Sequence, residues 1–439
     1  MRIVYDATYA TRGKSGIPRD AKSLIPVFAG LNLQKLTVIF FVKDVLPGMK
    51  KKKRLQFLWP QIIGSALRDD GSFRSLIPNR IRALMLAIES INLKSTVKAI
   101  DLNHSEKINA LTSLNISPQS PTDITLSIAL LNYRARLARP NIQKPFKLKE
   151  IDADVFIQQQ ADPIRVDSKI AHVMRLHDIL PITHPQFFDS ISVQVFSKSF
   201  HQMIKYKPFI VMDSKSAASE LELKYGLQGR VFVVPPVVSF QDVPVLKKKK
   251  QVLIVNTLEP RKRTQNAIAG FLYAKRAKML DEEWKLVVVG GHGWLQEKLF
   301  ENLKTNRFGA DVTYFDSPTD TIVAQLYDES AILLSMSAAE GFGLPPLEGM
   351  LHGCLPVVSR IPVHEENIGN GGIYVDHTDS VSIAEAIKTG VDILDKNGDL
   401  IKSSLIKHVK ERFSETVVAR EWKETLEAII DLHKKSRNE

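Results

Sequence analysis

The chain has 439 residues, 44% of them hydrophobic and 25% charged. This globular mixture excludes a disordered or fibrous protein, and the length suits two domains with sizeable cores. Lys plus Arg is 60 against 48 Asp plus Glu, a formal +12, which favours an anionic partner such as a nucleotide diphosphate, an anionic lipid or nucleic acid. The single cysteine, Cys354, excludes an intrachain disulfide and points to a reducing compartment. Its setting, Leu-His-Gly-Cys-Leu-Pro, reads as a small core position.

Taken in chain order, Met1–Asp6 opens on a strand-like run with no secretory pattern. Apolar stretches such as Leu36–Val42 are too short to span a bilayer. The expectation is a cytoplasmic protein, soluble or held peripherally on the inner face of the membrane. Strands are expected near Arg2–Tyr5, Leu36–Val42, Val155–Gln158, Ala171–Leu176 and Phe209–Met212. The loop Asp6–Arg19 carries Gly13 and Gly16 between the first strand and a helical segment, where backbone N–H groups can meet a phosphate.

Residues 49–150 are hard to read. Lys50–Arg54 precede Leu55, Phe57, Leu58 and Trp59, a pattern that suits an anionic membrane surface or a solvated basic loop beside a core helix. Asp152-Ala-Asp154 has a metal-binding D-x-D spacing, but it precedes a strand where such motifs follow one, so it reads as a turn. No other carboxylate cluster suggests a divalent ion, and no metal or other cofactor is expected. Zinc-ligand spacing and an aromatic RNA-binding box are both lacking, so specific nucleic-acid binding is not expected.

Arg175-Leu-His-Asp-Ile-Leu-Pro181 closes an apolar strand. A lone histidine there is more often structural than catalytic. Val234–Lys250 combines prolines with a lysine run and reads as a linker.

Beyond it, strands are expected near Val252–Asn256, Lys285–Val289, Val312–Phe315, Ala331–Ser335, Pro356–Ser359 and Gly372–Val375, the regular spacing of a doubly wound domain. Asn256-Thr-Leu-Glu-Pro-Arg-Lys-Arg263 sets cations at a strand's carboxyl end, where α/β sheets bind ligands and where arginine and lysine grip phosphate. Glu340-Gly-Phe-Gly-Leu-Pro-Pro-Leu-Glu348 reads as a glycine turn running from a strand into a helix, with Glu340 at the turn and Glu348 in the first helical turn. Glu411–Lys435 is helical in composition, with Trp422, Leu426 and Ile429 at helical spacing.

The Glu340–Glu348 string resembles the E-x7-E motif of retaining glycosyltransferases of the family-4 type. Glu-Pro-Arg-Lys and His-Asp-x-x-Pro resemble further segments of bacterial members that build surface polysaccharide, O-antigen mannosyltransferases among them. Val287–Trp294 resembles a family turn in which relatives carry basic residues where Gly291 and His292 stand.

The resemblance implies an α/β GT-B fold of two Rossmann-like domains with a donor cleft between them. The expected domains are an acceptor-binding unit over 1–235 with an insertion at 49–150, a nucleotide-sugar unit over 251–415, and a last helix over 416–439 crossing back to the first. It also implies roles. Arg261 and Lys262 bind the donor diphosphate, Gly16 lies against it, and His177 lines the sugar pocket. Glu340 bonds the donor sugar, the N–H groups of Phe342, Gly343 and Leu344 beside Gly341 fix it, and Glu348 holds the ribose. Glu340, His177, Lys262 and Arg261 form the catalytic set.

The implied partners are a nucleotide-sugar donor, GDP-mannose first, and a glycan or lipid-linked oligosaccharide acceptor. UDP-glucose-type and rhamnosyl donors stay open. Alternatives are a catalytically silent scaffold subunit of a membrane assembly, a basic nucleic-acid-binding protein, and another GT-B enzyme such as a nucleotide-sugar epimerase or a phosphorylase.

Overall fold

The structure, a computed structural model, describes residues 1–11, 16–42, 96–98, 100–101, 124–130, 146–239 and 248–438. Gly13, the Lys50–Trp59 segment and positions 240–247 of the expected linker lie outside the described residues.

The first sheet has eight strands in the order β11-β10-β9-β7-β1-β2-β5-β4. They are β1 (Arg2–Asp6), β2 (Lys35–Val42), β4 (Ile100–Asp101), β5 (Ile124–Leu130), β7 (Val155–Gln159), β9 (Ala171–Leu176), β10 (Phe209–Met212) and β11 (Val231–Val233). All pair in parallel except β4, which runs antiparallel to β5. Three short strands, β3 (Thr96–Lys98), β6 (Phe146–Lys149) and β8 (Ile164–Arg165), form a small separate sheet. Strands β7 and β10 are buried along their whole length, as expected of a parallel sheet covered on both faces.

Among the described residues, the α-helices of this half are α1 (Gly16–Gly30), α2 (Leu180–Thr183), α3 (Ser190–Ile204) and α4 (Lys215–Tyr225).

The second sheet is wholly parallel, in the order β14-β13-β12-β15-β16-β17. Its strands are β12 (Lys249–Val255), β13 (Lys285–Val289), β14 (Val312–Phe315), β15 (Ser330–Ser335), β16 (Leu355–Ser359) and β17 (Ile373–Val375). Lys249 and Lys250, read from sequence as linker, instead open β12. Around the sheet lie α5 (Thr264–Arg276), α6 (Glu297–Lys304), α7 (Asp320–Glu329), α8 (Leu344–Leu351) and α9 (Pro362–Ile368).

In chain order this sheet reads 3-2-1-4-5-6. Its topological switch point therefore falls between β12 and β15, where such sheets open a crevice beyond their carboxyl ends.

Two long helices close the chain. The first, α10 (Ser380–Phe413), breaks at Asn397, whose φ of −143° and ψ of 27° are not helical. The last, α11 (Glu415–Asn438), lays Val418, Trp422, Leu426 and Ile429 into the core of the first sheet. Phe28 meets Trp422 edge to face at 5.2 Å and Tyr5 at 5.1 Å. The last helix is thus a structural part of the first half of the chain, which also explains its apolar spacing.

Candidate active site

The candidate site is built first by the two strand ends that flank the switch point. After β12 the chain makes a tight helical turn at Pro260–Lys262, and Arg263 adopts a left-handed conformation (φ 49°) before α5 starts. The turn is held from behind by Gly290, where a Cβ would lie 1.7 Å from the Asn256 carbonyl oxygen, so a side chain there would break the packing. After β15 the chain turns at Gly343 (φ 82°) into α8. The backbone N–H of Ala338 donates to the Arg261 carbonyl at 2.7 Å, tying the two turns together.

These turns place Glu340 between both cations. Its Oε2 accepts from Arg261 Nη1 at 2.5 Å, and its Oε1 accepts from Lys262 Nζ at 2.5 Å and from Ser337 Oγ at 2.6 Å. Arg261 Nη2 also meets Glu259 Oε1 at 2.6 Å. Burial opposes ionisation of Glu340, but Arg261 and Lys262 outweigh it and hold the carboxyl well below its ordinary range. Lys262 is lowered by burial and by Arg261, against the pull of Glu340. Burial raises Glu259, against Arg261 and Lys262. Glu259 opens the Glu-Pro-Arg-Lys segment but was given no role there, and Ser337 had no signal beyond proximity to the Glu340 motif.

Sequence reasoning placed Glu348 in the first turn of its helix. The helix starts at Leu344, so Glu348 comes a turn later and points into the interior at 2% exposure. Its Oε2 accepts from Tyr327 Oη at 2.9 Å, and its Oε1 lies 2.5 Å from Arg19 Nη1, on α1 of the other half. Pro345 and Pro346 remove two of the four free N–H groups at the start of α8. The open donors there are those of the Gly343 turn and Leu344.

The first half of the chain presses on the same loop. A Cβ on Gly16 would sit 3.6 Å from Leu344 Cδ1, so the Gly16 turn faces the start of α8. A Cβ on Gly341 would lie 2.4 Å from the His177 carbonyl oxygen. Gly341 O accepts from Ser214 Oγ at 2.9 Å, and Phe342 O accepts from Asn367 Nδ2 at 2.7 Å. Trp294 Nε1 donates to the Phe187 carbonyl at 2.7 Å, a further bridge between the halves.

The His177 ring is held in a buried polar network. Its Nδ1 lies 2.9 Å from Asp213 Oδ2 and its Nε2 lies 3.1 Å from Gln159 Oε1. Gln159 Nε2 donates to Tyr5 Oη at 2.8 Å, which fixes the amide with its oxygen toward the ring. Both ring nitrogens therefore face acceptors, an arrangement that favours the doubly protonated ring. Burial works against that charge, but Asp213 and Asp20 raise the pKa above the ordinary value. Arg175, fully buried, joins the same network through Asp20 at 3.3 Å and Asp213 at 2.8 Å. The two cations and two carboxylates balance, as a buried cluster requires. Arg175 adjoins the quoted motif, whereas Asp20, Gln159 and Asp213 gave no sequence signal.

Asp152 and Asp154 pair with Arg2: Asp154 Oδ2 accepts from the Arg2 backbone N–H at 2.7 Å, Asp154 Oδ1 lies 2.8 Å from Arg2 Nη2, and Asp152 meets Arg2 Nη1. They fasten the start of β7 to β1. Among the described residues, no group of three or more His, Cys, Asp or Glu is placed to hold a metal ion, and no helix is long and apolar enough to cross a membrane.

Residues 238–403 match the family described as Glycosyl transferases group 1. The O-antigen chain mannosyltransferase B of Escherichia coli is 26% identical over 231 residues, covering 49% of this chain and 60% of that protein. The O-antigen chain mannosyltransferase RfbU of Salmonella typhimurium is 27% identical over 217 residues, covering 48% and 59%. The chain thus spans about 60% of the length of these relatives.

Among solved structures, TarM of S. aureus, in complex with UDP, superposes with a TM-score of 0.59 at 13% identity, over 98% of this chain and 99% of that one. HepE of Anabaena, in complex with UDP and glucose, gives 0.56 at 15% identity, over 98% and 100%. The chain has the GT-B fold of these structures, and the residues that match the glycosyl transferases group 1 family, 238–403, contain the whole second sheet.

Proposed function

We propose that the protein is a retaining hexosyltransferase that moves mannose from GDP-mannose to a hydroxyl of a glycan or lipid-linked oligosaccharide, in the synthesis of a cell-surface polysaccharide. The observation that carries this reading is Glu340 held between Arg261 and Lys262 at the switch point of the second sheet. The O-antigen mannosyltransferases among the relatives support the sugar and the pathway class.

Breaking the bond between the anomeric carbon and the diphosphate builds negative charge on the leaving phosphate, and fixed cations lower that barrier. Arg261 and Lys262 are the candidates. The ionised Glu340 can only accept hydrogen bonds. An ionised carboxylate has about four acceptor positions, and Lys262, Ser337 and Arg261 fill three of them. The open position on Oε2 suits a donor-sugar hydroxyl. The Gly343 and Leu344 N–H groups and the Gly16 turn flank the same cleft. His177 acts as a fixed charge beside the Gly341 loop, since neither ring nitrogen is free to take a proton. The acceptor approaches from the first half of the chain, and the basic excess suits a lipid-linked one at an anionic surface.

The test is thermal stabilisation by GDP, UDP, ADP and dTDP, each beside a matching sugar nucleotide, since a ligand of the folded state raises its stability by mass action. A selective rise with GDP and GDP-mannose is expected. A rise with UDP alone would replace the donor, as the UDP held by TarM and HepE allows. No rise with any nucleotide would turn the reading to a silent scaffold.

A further inference from the structure

The N-termini of two helices meet across the cleft. Gly16 begins α1, Leu344 begins α8, and a Cβ on Gly16 would lie 3.6 Å from Leu344 Cδ1. Arg19 lies in the first turn of α1, where a cation is opposed by the positive end of the helix dipole. It is nonetheless held there, with Nη1 2.5 Å from Glu348 Oε1 and Nη2 3.4 Å from the Ser239 carbonyl oxygen. The two ends of the pair differ in environment. The Glu348 side chain is 2% exposed and the Arg19 side chain 36%. The guanidinium can therefore leave toward water, while the carboxylate stays buried and requires a replacement partner. Its other oxygen remains on Tyr327 Oη.

We propose that Arg19 gates the ribose position of the donor site: the 2′,3′-diol of a nucleoside diphosphate reaches Glu348 only by displacing the Arg19 guanidinium. This rests on the reading of Glu348 as the ribose carboxylate. The gate makes part of the nucleotide's binding an exchange of one Glu348 partner for another. It weakens the apparent contribution of the ribose hydroxyls and leaves the phosphate contribution alone. It also couples nucleotide binding to release of an ionic tie between the two halves of the chain.

The test compares GDP and UDP, each with its 2′,3′-dideoxy form, by calorimetric titration of the full-length wild type and Arg19→Ala. The reading is the ratio of the dideoxy to the ribo Kd. Any loss of attraction between Arg19 and the phosphates affects both nucleotides alike and cancels in the ratio. The ratio is expected to rise about three- to tenfold in Arg19→Ala, the size of a typical coupling between two ligands of one group. Arg19→Lys should fall between the two. Should Arg19→Ala not fold, Arg19→Gln keeps the stem and makes the same prediction.

A large ratio in the wild type that does not change in the variant overturns the gate and leaves the ribose assignment standing. A ratio near one in both overturns the assignment of Glu348 and the gate with it. No binding of either nucleotide to either protein overturns the donor site as a whole.

Discussion

Glu340 keeps its charge because three donors converge on it, and that makes the two cations around it unequal. Arg261 is in direct contact with two carboxylates, Glu340 and Glu259, whereas Lys262 contacts Glu340 and feels Glu259 only at longer range. A diphosphate therefore finds Lys262 the easier cation to recruit. Lys262→Ala is expected to lower kcat by about two to three orders of magnitude, the usual cost of removing one group that stabilises developing charge. Its melting temperature should stay close to wild type because Arg261 still holds Glu340. Near-normal turnover would remove Lys262 from the diphosphate site.

Two histidines of the first half, His172 and His177, shift in opposite directions. His172, bonded to Gln158, is lowered to about 4 by burial. The folded state disfavours its charged form, so this group costs stability as pH falls from about 6.5 toward 4. His177 is raised, so its contribution is complete below the unfolded value near 6.5 and is lost as pH rises through the folded value. Histidine-selective NMR titration should place His172 near 4 and His177 above 6.5. A His177 midpoint below 6.5 would contradict the doubly donating ring.

At the level of elements, the start of α4 shows how the two halves are joined. Ser214 caps α4 by accepting from the Ala217 N–H, and its hydroxyl donates to Gly341 O. Glu366 of α9 accepts from the Lys215 and Ser216 N–H groups at 2.7 and 2.9 Å. One helix terminus is thus satisfied by both halves of the chain. Glu366→Ala is expected to cost about 1 kcal/mol, as the loss of a helix cap does, read from urea denaturation. An unchanged midpoint would mean that water replaces the cap without penalty. Most long strands of both sheets were legible from their apolar runs, but the seven-residue β5, inside the stretch 49–150 that gave no clear reading, was missed. The three-residue β11 and the short strands β3, β4, β6 and β8 were not legible, because so few residues show no period. Their pairing comes from neighbours already in place.

For the molecule as a whole, α11 is the fastener. Trp422 is fully buried against Phe28, and the Arg175 guanidinium lies 5.6 Å from its ring. Trp422→Ala is expected to destabilise the first half by about 3–5 kcal/mol, the usual cost of emptying a large aromatic site, seen as an early thermal transition. A loss under about 1 kcal/mol would mean that α11 is an appendage.

What the sequence determined by itself was local. Apolar runs set the strands, glycine and proline set the turns after β12 and β15, and the residue types at those turns named Arg261, Lys262, Glu340 and Glu348. Such patterns act over a few residues, through backbone sterics and the alternation of a pleat. Only the tertiary structure decided what each charge faces. It turned the His177 ring onto Asp213 and Gln159, and it brought Arg19 from the first helix onto Glu348 in the other half. The physical reason is that an ion pair depends on distance in space and on exclusion of water. Both are set by how two sheets far apart in the chain dock, and no local pattern encodes that.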